Sequence, residues 1–263
     1  MAETVGEGPQ PATEPEEGEE RSASERVPGP VRVGDERGFA HGAAALLARA
    51  LREAAARGPV SLALAGGGTP VPVYRSLAAL PGLPWPRVSL FFSDERRVPP
   101  EHPRSNYRMV CESLLERLPA PPAAIYRLEG EAADPEAAAR RYARLLPDSL
   151  ELLILGVGTD GHTASLFPGQ PALRENLRRV APSEAPAAPR GRLTITPPVI
   201  RAAHRLFVLA TGPSKARAVR RGLLGDWEPD SCPAQLARRG SWLLDRDAAA
   251  GLAGRVEAEE LSP

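Results

Sequence analysis

His162 is the residue best placed in this chain to do chemistry. It sits in Gly161-His162-Thr163, just beyond an unbroken aliphatic run, Leu152-Leu153-Ile154-Leu155, that ends in the turn Gly156-Val157-Gly158-Thr159-Asp160-Gly161. An imidazole titrates at about pH 6.5 in model peptides, so a histidine offered at a strand end can act as a general base near neutrality. Strand ends in open α/β sheets face the crevice where ligands bind. A histidine satisfied structurally within its own turn is the plainer alternative.

Three other stretches carry reactive or ligand-binding residue types. Ala65-Gly66-Gly67-Gly68-Thr69-Pro70 follows an apolar run and precedes a helical pattern, an order in which backbone N–H groups and a helix N-terminus can cradle a phosphate. The same three glycines also suit a plain tight turn, and no Gly-Lys-Ser/Thr follows to make a P-loop. Ser93-Asp94-Glu95-Arg96-Arg97 sets four ionisable residues at the end of the apolar run Val88–Phe92, where burial is costly unless they line a site or form a solvated turn. Of 33 basic residues, Lys215 is the only lysine. A compact ammonium differs chemically from a planar guanidinium, which makes Lys215 a candidate ligand or catalytic group.

The elements that must position these residues alternate along the chain. Strands are expected at Val31–Val33, Val60–Ala65, Val88–Phe92, Ile125–Leu128, Leu152–Leu155, Arg192–Thr196, Arg205–Ala210 and from Ser241. Helices are expected at Phe39–Ala56, Val73–Leu80, Tyr107–Arg117, from Asp134 to Leu145, as a turn at Val199–Ala203, and from Lys215. Ala181–Arg190, rich in Pro and Ala, reads as a surface loop. Strand, glycine turn and helix recur three times, which implies an α/β fold with a mainly parallel sheet and helices on both faces. The Gly156–Gly161 turn matches the letters of a dinucleotide fingerprint, but no acidic residue ends a following strand about 20 positions on, so dinucleotide binding is disfavoured.

Composition narrows the classes further. Residues 1–26 hold eight Glu against Arg21 and Arg26 and almost no large apolar residues, the signature of a disordered acidic tail, leaving 27–263 as a single α/β catalytic domain. The chain is neutral overall, so residues 27–263 carry a balance of plus six that suits a small anionic ligand or an ordinary solvated surface. No dense basic run suggests nucleic acid, and no apolar stretch suggests a membrane. Cys111 and Cys232 lack metal or disulfide spacing, and His41, His102 and His204 stand apart, so no metal is expected and a cytoplasmic setting fits. A monomer is the starting expectation.

Together, GGGTP at Gly66–Pro70, Ser93–Arg96 with Val98-Pro99, Ser105-Asn106-Tyr107, Gly156–Pro168, Arg192-Leu193-Thr194 and Thr211–Ala216 resemble, in order, the motifs of the 6-phosphogluconolactonases of the glucosamine-6-phosphate isomerase/6-phosphogluconolactonase family. The resemblance spans about Val31 to Ala250. In the related deaminases the acidic segment reads Asp-Glu-Tyr and the histidine is followed by Ile-Ala-Phe-Asn-Glu-Pro, whereas here Arg96 and Thr163-Ala164-Ser165-Leu166-Phe167 stand in those places. Gly68 and Arg97 depart from the residues common in the lactonases.

The resemblance implies a modified Rossmann-like, glucosamine-6-phosphate deaminase-like fold. It also implies hydrolysis of 6-phospho-D-glucono-1,5-lactone to 6-phosphogluconate in the oxidative pentose phosphate pathway, without cofactor or metal. His162 is then the base that activates water, with Asp160 or Asp94 orienting it; spacing does not choose between them. The phosphate falls to Gly67, Gly68, Thr69, Arg96, Lys215 and Arg192. A deaminase-type enzyme and a non-catalytic sugar-phosphate sensor on the same fold are the competing readings.

Overall fold

The computed structural model describes residues 25–36 and 38–261. The expected acidic tail therefore lies, except for Glu25 and Arg26, outside the described residues. Eight strands form the main sheet: β1 (Val31–Gly34), β2 (Val60–Leu64), β3 (Val88–Phe92), β5 (Ala124–Ile125), β6 (Leu152–Gly156), β9 (Arg205–Ala210), β10 (Ser241–Asp245) and β11 (Ala258–Glu260). Their order is β11-β1-β10-β9-β6-β2-β3-β5, and every pairing in that sheet is parallel. The helices are α1 (Phe39–Arg57), α2 (Pro70–Ala79), α3 (Asn106–Ser113), α4 (Pro135–Leu145), α5 (Pro197–Ala202), α6 (Ala216–Leu224) and α7 (Arg246–Ala249). Leu152, Leu153, Ile154 and Leu155 are all fully buried. Successive strand residues point to opposite faces, so both faces of the sheet are covered, which is why the central strand reads as an unbroken aliphatic run.

The strand order explains where a site must form. From β2 the chain runs through α2 to β3 on one side, whereas from β6 it runs on to β9 on the other. The segments leaving these two neighbouring strands diverge, and the gap between them is the crevice at which open parallel sheets take their ligands. The glycine loop leaves β2, and the histidine turn leaves β6. Two buried tyrosines clamp the rim. The Tyr74 hydroxyl accepts from the Ala65 N–H at 2.9 Å and donates to the Ala65 carbonyl at 3.0 Å, and Tyr142 does the same for Phe92 at 2.7 and 3.0 Å.

The structure corrects several expectations. Arg192–Thr196 does not join the parallel sheet. Gly191–Ile195 (β8) is the middle of a second, antiparallel sheet, between β4 (Asp94–Arg96) and β7 (Val180–Glu184). Ala181–Glu184, the first four residues of the expected surface loop, are thus strand. Pro182 lacks an N–H donor and is tolerated because β7 is an edge. The helix expected over Tyr107–Arg117 ends at Ser113 and continues only as a 3₁₀ turn, Leu115–Arg117. The strand expected at Ile125–Leu128 covers only Ala124–Ile125, and β11, acidic and exposed, carries no apolar alternation to announce it. Ser93 is where the chain passes from one sheet to the other: its N–H donates to Leu64 O, and its carbonyl accepts from Ile195 N, both at 2.9 Å. Among the described residues no helix is long and apolar enough to cross a membrane.

Candidate active site

The turn after β6 is built to present His162. Gly158 N–H donates to His162 O at 2.8 Å, and Gly161 N–H donates to Gly158 O at 3.0 Å, closing the loop on itself. Gly158 is required by close approach: a Cβ there would stand 2.0 Å from His162 Nδ1. The Asp160 carboxylate accepts from the His162 backbone N–H at 3.1 Å and lies 2.6 Å from the ring Nδ1. An ionised carboxylate only accepts, so Nδ1 carries the proton and Nε2 is left as the basic nitrogen. The ring packs against Phe167, centroids 4.6 Å apart. Beyond it, Ala164 takes a left-handed conformation, φ 47°, a strain of the kind that tightly determined sites hold.

Burial alone would raise the Asp160 carboxyl. The hydrogen bond and charge of His162, with backbone donors, outweigh it and hold the carboxyl below the usual aspartate range. Asp94 does not meet the imidazole. Its Oδ2 accepts from Ser165 Oγ at 2.7 Å, and its Oδ1 accepts from Ser93 Oγ at 3.2 Å. Asp94 thereby ties β4 to the histidine turn, assisted by Ser165 N–H, which donates to Thr194 Oγ1 at 3.1 Å.

The turn faces a crevice of about 540 Å³ that also collects Gly67, Gly68, Thr69, Asp94, Arg96, Arg192 and Lys215. All nine residues singled out from sequence therefore lie on one cavity. Gly67 has φ +97°, open to glycine at little cost. Thr69 Oγ1 lies 3.1 Å from Thr211 Oγ1, joining the loop after β2 to the loop after β9. Lys215 follows in that second loop. Burial pulls its ammonium below the ordinary lysine range, against the opposing pull of Asp160. Arg192, buried, is pushed down by desolvation and by the charges of Arg96 and Arg104, with Asp94 and Glu95 opposing. Guanidinium groups stay protonated in such settings, so the three arginines leave a surplus of positive charge.

Sequence reasoning missed several parts. Glu95 is not on the cavity. Its buried carboxylate, pushed up by desolvation, accepts from the N–H groups of Arg96, Asn106 and Tyr107 at 2.7, 2.7 and 2.8 Å and from Ser105 Oγ at 3.0 Å. It anchors the start of α3. Arg97 donates to Ala132 O at 3.2 Å and does not line the cavity. Ala185–Ala188 form one wall of it, held by an Arg104 bond to the Ala188 carbonyl and an Arg192 bond to the Pro189 carbonyl. Nothing in the sequence of that segment signals a pocket wall. Among the described residues no three His, Cys, Asp or Glu side chains gather as metal ligands.

The sequence profile of the family described as glucosamine-6-phosphate isomerases/6-phosphogluconolactonase matches residues 34–244. The chain belongs to this family. Within it, the chain is 37% identical over 217 residues to a 6-phosphogluconolactonase of Synechocystis, covering 78% of this chain and 89% of that one. It is 39% identical over 213 residues to the human 6-phosphogluconolactonase, covering 74% and 82%. The solved 6-phosphogluconolactonase of Trypanosoma brucei superposes with a TM-score of 0.72 at 30% identity, over 86% of this chain and 100% of that one. The family's fold is thus the one observed here. The matched span runs from the end of β1 to the end of β10 and holds every residue of the crevice.

Proposed function

We propose that this chain hydrolyses 6-phospho-D-glucono-1,5-lactone to 6-phosphogluconate, the second step of the oxidative pentose phosphate pathway. The observation that carries the reading is the Asp160–His162 pair, 2.6 Å apart, at a crevice that also holds Arg96, Arg192 and Lys215 in a chain of this family. His162 Nε2 takes a proton from water, whose oxygen adds to the lactone carbonyl carbon. The tetrahedral oxyanion collapses, the bond from that carbon to the ring oxygen breaks, and the histidine returns its proton to the departing oxygen. Asp160 keeps the proton on Nδ1 and stabilises the imidazolium that forms. Asp94 is assigned to positioning the turn and accepting from sugar hydroxyls, in place of an orienting role.

The phosphate is assigned to the Gly67 and Gly68 N–H groups, Thr69, Arg96, Arg192 and Lys215. Fixing it places the carbonyl near His162, so positioning supplies a large part of the rate. The reaction needs neither metal nor cofactor. The free thiols Cys111 and Cys232 suit the cytoplasm. The test is loss of freshly made lactone corrected for its spontaneous hydrolysis. His162→Ala should lose activity by about 10²–10⁴-fold while still binding 6-phosphogluconate. Near-wild-type turnover would remove the base assignment, and ammonia release from glucosamine 6-phosphate would transfer the chain to the deaminases.

A further inference from the structure

Asn106, the first residue of α3, stands where the two halves of the crevice meet and has no role in the chemistry above. It is only 1% exposed. Its backbone N–H is held by Glu95, and its Nδ2 donates to the Asp94 carbonyl at 2.8 Å. The side-chain amide also lies flat on the glycine loop: a Cβ at Gly66 would fall 2.0 Å from Asn106 Oδ1, 2.2 Å from Cγ and 2.4 Å from Nδ2. One side chain therefore touches both Asp94 and the loop assigned to the phosphate, and both Gly66 and Asn106 line the crevice.

Asn106 Oδ1 is buried with no hydrogen-bond partner among the described residues. Exchanging the amide's N and O gives no relief, because it would set an oxygen against the Asp94 carbonyl. A buried acceptor without a donor destabilises the fold. An apolar residue here would leave the Asp94 carbonyl without its donor, so it is the Nδ2 half of the amide that ties α3 to β4. No side chain lacking a donor can hold Asp94 O, and a bulkier one would meet the Gly66 backbone.

We propose that Asn106 is a positioning residue, a brace that fixes the glycine loop relative to Asp94 so that loop N–H groups and the β4 side chains address one phosphorylated sugar together. The proposal rests on the phosphate assignment made above. It predicts that Asn106→Ala raises KM for the phosphorylated lactone about tenfold with kcat reduced less than threefold, while kcat/KM for unphosphorylated glucono-1,5-lactone falls far less. A merely structural role would lower thermal stability and affect both lactones alike.

Gly66 supplies an internal control. Gly66→Ala forces its Cβ into the amide and should lower Tm; adding Asn106→Ala removes the obstacle and should restore Tm to that of Asn106→Ala while KM stays raised. A double variant with wild-type KM would overturn the brace. Titration calorimetry with inorganic phosphate needs no turnover and separates this proposal from the lactonase reading. About tenfold weaker binding in Asn106→Ala supports the brace even if no lactone is hydrolysed, and equal binding rejects it. Should Asn106→Ala fail to fold, the uncharged Asn106→Thr, which loses the amide donor to Asp94 O, is read in the same way.

Discussion

The Asp160 carboxylate and the His162 ring share one short turn, so the base and the group that orients it are placed by three residues of backbone, Asp160 to His162, and not by the meeting of distant elements. A carboxylate that selects the Nδ1 tautomer matters most when the imidazolium forms. Asp160→Asn is expected to lower kcat by about 10²-fold or more with little change in KM, checked by steady-state kinetics on the lactone. Lys215 carries a prediction with a pH signature. Because burial lowers its pKa in the folded chain, the folded state releases that proton first as pH rises. Charged Lys215 therefore costs stability at neutral pH, and the cost disappears through the window below the ordinary lysine value of about 10.4. Lys215→Met should be at least as stable as wild type at pH 7 by thermal melting, yet bind 6-phosphogluconate more weakly. Affinity in the wild type should decline as pH climbs towards the ordinary lysine value, in the direction of lysine deprotonation, and that decline should be absent in the variant.

At the scale of elements, the turn after β6 is tied at both flanks: Thr163 Oγ1 donates to Gly156 O at 2.8 Å, and Ala234 N–H donates to Gly161 O at 2.8 Å. Such a turn tolerates no side chain on its inner side. Gly158→Ala would set its Cβ 2.0 Å from His162 Nδ1 and 2.5 Å from Asp160 Oδ1. Displacing the pair by about 1 Å should cost on the order of 10²-fold in kcat, checked by steady-state kinetics on the lactone. Elements with strong patterns were legible beforehand: β2, β3, β6, β9 and the long helix α1 follow from aliphatic runs and helical periodicity. The antiparallel sheet was not. Its strands β4 and β7 carry Asp, Glu, Arg and Pro, and they extend only because β8 lies between them.

At the scale of the molecule, the crevice depends on the buried strand beneath it. Leu153 is fully buried in the centre of the sheet and pairs with both neighbours. Leu153→Ala should cost about 2–5 kcal/mol, seen as a Tm lowered by roughly 5–15 °C, with kcat of the folded protein largely retained. A proportionate loss of kcat at temperatures well below the melt would mean that the core and site are coupled more tightly than this packing implies.

The sequence by itself determined the α/β class and the turn that bears His162, because glycine spacing and aliphatic runs are local chemical facts, and the family resemblance pointed to nine of the residues that line the crevice. Tertiary structure alone decided which carboxylate meets the imidazole. Asp94 is as acidic in sequence as Asp160, but β4 departs into a second sheet and delivers it to Ser165. It also decided that Glu95 is an anchor and not a cavity residue, that Ala185–Ala188 are a wall, and that Asn106 lies on Gly66. Each of these is a contact between residues far apart in the chain, set by the order of strands in space, and no local pattern encodes that order.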